Sequence, residues 1–279
     1  MTQDATGAWG DAINLLVRTG QRVAPRGNPT IEMPHHTVVV DMRRPVLDLP
    51  ERKLSYRFMA AEAYWILSGD NTVQGIAPWN KHIAAYSDDG ETFAGAYGPQ
   101  IVKQLPYVIR TLVTDQSTRQ AGLTIWQPNP KPSKDIPCTV AIFFQLRDDK
   151  LNLHVYMRSS DVWLGLPYDI FNFSMLAHMV CGAMRHHDLT PSPGTLYLTA
   201  ASMHLYESNL GQVAAVIDAV HQRRTQIMCG RGPKVLMTPN LVYMDTAILM
   251  DTLELLRDSR PGDPIRWWES EVRDADQPS

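Results

Sequence analysis

Residues 158–184 read RSSDVWLGLPYDIFNFSMLAHMVCGAM, and the character of the chain changes twice along them. Arg158 to Asp161 reads as the polar end of a strand, and Leu164 to Asp169 as a loop whose last residue has the chemistry of a helix cap. Ile170 to Met184 is then apolar on nearly every side, as a helix is when it lies inside a domain. Just upstream, Thr139 to Leu146 and Leu151 to Met157 read as strands joined by a hairpin turn at Asp148-Asp149-Lys150. Downstream, Thr195 to Ala201 reads as a strand and Leu205 to His221 as a helix. A buried helix between strands on both sides predicts one large sheet with a long helix packed against it, an α+β fold.

The N-terminal half fits the same plan. Ala8 to Val17 has helical spacing, and Thr30 to Met42 reads as a strand leaving an Arg-Gly-Asn-Pro turn that puts Arg26 on a loop. Tyr56 to Leu67 is a helix stopped by Gly69, so Glu62 falls on a largely buried helix, where a carboxylate needs a reason. A polar loop over Ser87 to Gly98 leads to a helix at Tyr107 to Thr114 and a strand at Gly122 to Trp126. No repeat or low-complexity linker divides the 279 residues, which read as a single domain, 1–279. The segment after about 235 diverges, with a polar, Pro-containing end beyond Arg260.

A formal net charge of −3 leaves no global excess of Lys and Arg for a nucleic-acid polymer, so any phosphate is held by a local cluster. The three cysteines, Cys138, Cys181 and Cys229, form neither a disulfide framework nor a metal-binding spacing. With no leader and no uninterrupted apolar span at the start or elsewhere, the expectation is a cytoplasmic protein without membrane or metal.

Several residues have the chemistry of a site. Cys138 opens a strand after Pro137, although free cysteine is also a common core residue. Arg26, Arg119 and Arg158 come from separate loops or strand ends and could converge on a phosphate, though each alone reads more readily as a solvated side chain. Asp169 reads as an N-cap, and His204 and Tyr206 lie near a strand end.

Residues 158–170 closely resemble the longest signature of thymidylate synthases, R-S-x-D-x-x-L-G-L-P-F-N-I. The remaining matches keep the family's order: Arg26, Glu62 before Trp65 and Gly69-Asp70, Tyr97-Gly98, Arg119, Trp126, Pro137-Cys138 and His204-Leu205-Tyr206. The resemblance covers roughly residues 8–220 and implies a thymidylate synthase-like fold. It implies Cys138 as the nucleophile that adds to C6 of a pyrimidine, its thiolate favoured by a cationic phosphate site. It implies Arg26, Arg158 and Ser159 as phosphate ligands, with Arg119 reaching across a homodimer. It gives the sugar 3′-hydroxyl to His204 and Tyr206, water and proton transfer to Glu62, and the C5 proton step to Tyr97. Trp79, Asp161, Leu164, Gly165 and Tyr168 match the wall for the co-substrate, 5,10-methylenetetrahydrofolate.

Departures from the pattern refine the expectation. Asp169 stands where thymidylate synthases carry the Asn that reads uracil. A carboxyl accepts from the 4-amino group of cytosine and shares a proton with N3, so the substitution predicts a cytosine nucleotide and resembles the deoxycytidylate hydroxymethylase branch. There, water rather than hydride quenches the intermediate. The expected reaction is 5-hydroxymethylation of dCMP, with CMP hydroxymethylation or dCMP methylation as alternatives, in a cytoplasm that is the host's for a phage-encoded chain. Gln120 replaces a second arginine, Thr139 a histidine, and His82 an aromatic that would exclude water. Trp267 and Trp268 stand near the end in place of the family's short apolar tail.

Overall fold

A computed structural model describes residues 3–228 and 245–259. In chain order these form α1 (Ala5–Thr19), β1 (Gln21–Val23), β2 (Thr30–Asp41), α2 (Tyr56–Leu67) and α3 (Gly98–Thr114). There follow β3 (Gly122–Thr124), β4 (Thr139–Arg147), β5 (Lys150–Met157), β6 (Ser160–Asp161), α4 (Leu166–Arg185), β7 (Ser192–Tyr206), α5 (Leu210–Met228) and α6 (Thr246–Asp258). Trp267 and Trp268 lie outside the described residues.

Six strands run in the order β1-β2-β7-β5-β4-β3, and β6 adds to the end of β7. All neighbours are antiparallel except β5 and β6, which run parallel to β7. This mixed sheet with helices on one face is the expected α+β architecture. Strict alternation decides which face is covered: Ile142, Phe144, Leu151, Leu153 and Val155 are buried, while Phe143 and Tyr156 between them are exposed. The covered face carries α4, buried on nearly all its length, with α2 against α4 and α6 against α2. On the open face Phe143 meets Tyr156 edge-on at 6.4 Å and His154 stacks on Tyr197 at 4.8 Å.

Several elements keep their expected bounds for visible local reasons. Ser55 caps α2 by accepting from the Phe58 N–H, and Gly69 just past it has φ +80°. Asp148 and Asp149 both have φ near +50°, as a two-residue hairpin between right-twisted strands requires.

Three expectations need correction. α4 starts at Leu166, so Asp169 is not its cap but lies inside its first turn. Pro167 pre-sets the helical φ there, and Asp161 Oδ1 accepts from the Trp163 and Leu164 N–H groups just upstream, each at 2.8 Å. Leu205 belongs to no helix: β7 continues to Tyr206 because β2 pairs with it as far as Thr30, and α5 begins only at Leu210. α3 begins nine residues before Tyr107, at Gly98, and tolerates Pro106 in its interior.

Candidate active site

The strand ends and the first turn of α4 meet at one cleft of about 740 Å³. Every expected site residue lines it except Arg119, which is exposed on the loop after α3. Pairing explains the convergence. Thr139 faces Met157 at the end of the β4–β5 ladder, which places Cys138 beside Arg158, whose backbone N–H donates to the Cys138 carbonyl at 2.8 Å. β6 sets Asp161 against His204 on β7.

At the polar end stand Arg26, Arg158, Ser159, His204 and Tyr206, shared with an adjoining groove of about 490 Å³. Arg26 has φ +55° and ψ +27° in its 3₁₀ turn, a left-handed conformation that few arginines adopt. Arg158 donates from Nε to Pro137 O at 2.9 Å and from a terminal nitrogen to Ile136 O at 2.8 Å. That guanidinium both fixes the segment before the cysteine and leaves the rest of its fork for an anion. Ser159 Oγ lies 3.2 Å from His204 Nδ1, and the His204 and Tyr206 rings meet edge-on at 5.3 Å.

Cys138 is half-buried on the cleft wall. Burial pushes its thiol pKa up, and this outweighs the opposing pull of Arg158. The pull of Arg158 toward the expected thiolate is therefore smaller than the opposing effect of burial. Cys181 is buried in α4 with its thiol pushed up to about 12 by burial, so among the described residues only the Cys138 thiol lies on the cleft.

Deeper in the cleft, Glu62, Asp169 and Tyr97 surround the position expected for a base. Burial raises Glu62 to about 7, opposed by the Asn172 side chain, whose Nδ2 donates to Glu62 Oε2 at 2.7 Å. Asp169 is pushed well above the usual carboxylate range by burial first and then by Glu62 and Asp161, which favours its neutral acid form. Tyr97 is raised well above the ordinary phenol range, chiefly by burial. Its hydroxyl accepts from the Thr139 N–H at 3.2 Å, and its ring stacks on Phe173 of α4 at 6.5 Å.

At the opposite end, Trp79, Asp161, Leu164, Gly165 and Tyr168 form a flatter, more aromatic wall. Trp79 is held by α6: its Nε1 donates to the Arg257 carbonyl at 3.1 Å, and the Arg257 guanidinium lies over the ring at 5.0 Å. Asp161 accepts two backbone N–H groups on Oδ1, yet its buried Oδ2 has no partner among the described residues. Gly165 leaves space beside Asp169, since a Cβ there would stand 3.4 Å from Asp169 Oδ2.

Two residues of this site escaped sequence reasoning. Arg52 lies over Trp163 at 3.8 Å and donates to its carbonyl. Asn172 belongs to the deep cluster, and in the sequence it is one of three polar residues, with Ser174 and His178, on the mostly apolar stretch Ile170 to Met184.

Comparison with known proteins agrees with this geometry. The pattern of the thymidylate synthase family matches residues 8–238. A deoxyuridylate hydroxymethyltransferase of Pseudomonas phage M6 is 30% identical over 229 residues, 78% of this chain and 64% of that protein. A deoxyuridylate hydroxymethyltransferase of Bacillus phage SP01 is 28% identical over 224 residues, 72% of this chain and 57% of that protein. The chain thus spans less than two thirds of the length of either relative.

Proposed function

Because the chain belongs to the thymidylate synthase family, we propose that it transfers a one-carbon unit from 5,10-methylenetetrahydrofolate to C5 of dCMP, with water completing a hydroxymethyl group. The observation that supports this reading is the Asp169 carboxyl, which lines the cleft with Glu62 and Tyr97 and whose neutral form is favoured by burial. A carboxylic acid offers an acceptor and a donor side by side, complementary to the 4-amino group and N3 of cytosine.

Arg26, Arg158 and Ser159 hold the 5′-phosphate, and His204 with Tyr206 holds the sugar hydroxyl. Phosphate binding fixes the base over Cys138, whose sulfur adds to C6. The thiol proton leaves as the base is polarised, since burial disfavours a free thiolate. Tyr97 faces the C5 proton, and Glu62, titrating near neutrality, moves protons to and from bound water. The wall fits the folate: the partnerless Asp161 Oδ2 can accept from ring N–H donors, and Trp79 offers a flat ring to stack on. Bound there, the folate supplies the one-carbon unit.

The open sheet face supports a homodimer. Phe143 and Tyr156 are exposed at its centre, and the loop with Arg119 leads into Gly122, which lies against the Phe143 ring. In this arrangement Arg119 completes the partner's phosphate site.

A second reading is hydroxymethylation of dUMP, favoured by the names of the two phage relatives. The same neutral carboxyl can serve it, because moving the acid proton to the other oxygen complements N3–H and O4 of uracil. Tritium release from [5-³H]dCMP, [5-³H]dUMP and [5-³H]CMP with methylenetetrahydrofolate, with products identified by mass, tests both readings. Release from dCMP with a 5-hydroxymethyl product is the expected result. Release from dUMP alone replaces the cytosine reading, and a methyl product with dihydrofolate removes the water step.

A further inference from the structure

Beside the cleft opens a smaller chamber of about 170 Å³ that shares Glu62, Ile83, Tyr86, Tyr97 and Asp169 with it. Trp65, Ile66 and Phe93 supply apolar wall, and Asn172 lines the chamber from α4. With a liquid share of ~30 Å³ per molecule, water fits there several times over.

The Asn172 side chain is oriented by the ionised Glu62 carboxylate, which can only accept. Only its amide nitrogen can donate, and that nitrogen is committed to Glu62 Oε2 at 2.7 Å. Its Oδ1 is buried and has no partner among the described residues, on a residue only 5% exposed. An amide oxygen left unpaired in such a place costs roughly 1–3 kcal/mol, a cost removed by a water that donates to it.

We propose that Asn172 is the positioning residue for the attacking water. One O–H of that water donates to Asn172 Oδ1 and the other to the Glu62 carboxylate, so an oxygen lone pair is left facing the base. This inference rests on the hydroxymethyl reading above. In the step, the water oxygen bonds to the exocyclic methylene carbon attached to C5, and the water proton passes to Glu62. The electron pair of the methylene double bond moves onto C5, re-forms the C5–C6 double bond, and expels the Cys138 sulfur from C6 as thiolate. Atoms and charge balance with no further reagent. An amide hydrogen-bonded to Glu62 but facing away from the chamber would steady that carboxylate without influencing which nucleophile attacks.

The test uses the full chain with [5-³H]nucleotide, methylenetetrahydrofolate and a small thiol added as a competing nucleophile. Tritium release reports the steps before attack, and the ratio of hydroxymethyl to thioether product reports the attack itself. That ratio is measured within one sample and does not depend on the fraction of chain folded. In Asn172→Ala we expect the ratio to fall about tenfold or more, beyond any fall in tritium release. Asn172→Asp keeps an acceptor oxygen in place and can share a proton with Glu62, so at about pH 6 its ratio stays within about threefold of wild type. An unchanged ratio in the alanine variant overturns the proposal, as does an equal loss in both variants. Wild-type chain that forms only a methyl product overturns the reading beneath it and this inference together, while wild-type hydroxymethyl product with an unchanged variant ratio overturns this inference alone.

Discussion

Glu62 and Asp169 share one pocket, and burial treats them differently enough to divide their labour. Glu62, raised to about 7, changes charge within the working range, while burial and its acidic neighbours favour the protonated form of Asp169. If Glu62 takes the proton of the attacking water, product formation rises with pH through about 7 and levels off above it. Glu62→Gln should lower kcat by roughly 10²–10⁴ and erase that limb, which a pH profile of the single-turnover product step would check. The same shift has a stability sign. The folded chain holds a proton on Glu62 that the unfolded chain has already lost, so Glu62 destabilises the fold increasingly as pH rises from about 4.5 to 7. From the shift to about 7 the loss is on the order of 3 kcal/mol, to be read from urea midpoints of wild type against Glu62→Gln. At Asp169 the relevant change is one of pattern. Asp169→Asn turns a carboxyl with a mobile proton into an amide with a fixed donor, and should move the dCMP-to-dUMP ratio of kcat/KM toward dUMP by about tenfold or more. Unaltered selectivity would mean that other groups read the base.

Among the elements, α5 and the segment before α2 are joined by one buried ion pair, Arg223 to Asp48 at 2.8 Å, with the Asp48 N–H also donating to Thr6 Oγ1 at 2.9 Å. Removing only the cation leaves a buried carboxylate, so Arg223→Ala should cost ~3–5 kcal/mol by chemical denaturation. The elements also show what a sequence can and cannot disclose. Helix α2 was legible residue for residue because its cap, apolar spacing and stop are local. The end of β7 was not, since residues 205–206 have helical spacing and only pairing with Thr30 and Ile31, far away in the chain, keeps them extended. The cleft residues were legible through a signature with fixed order. Asn172 and Arg52 were not, for their roles arise from contacts across 110 and 111 residues with Glu62 and Trp163.

At the scale of the whole molecule, the open face with Phe143 and Tyr156 and the distance of Arg119 from its own cleft make the dimer testable in one mixing experiment. Cys138→Ala and Arg119→Ala are each expected to be nearly inactive. Exchanged in equal amounts, they should recover about a quarter of wild-type activity, since half the dimers are hybrids with one complete site each. No recovery would show that Arg119 serves its own protomer or none. The sheet carries one more consequence. β5 and β7 are parallel, so the chain between them, with β6 and α4, must cross over before the two strands can pair. The cleft borrows walls from Arg26 near the start and Tyr206 three quarters of the way along. During synthesis the thiol at 138 therefore emerges well before its pocket exists, and it stays an ordinary cysteine until the last third of the described chain has left the ribosome.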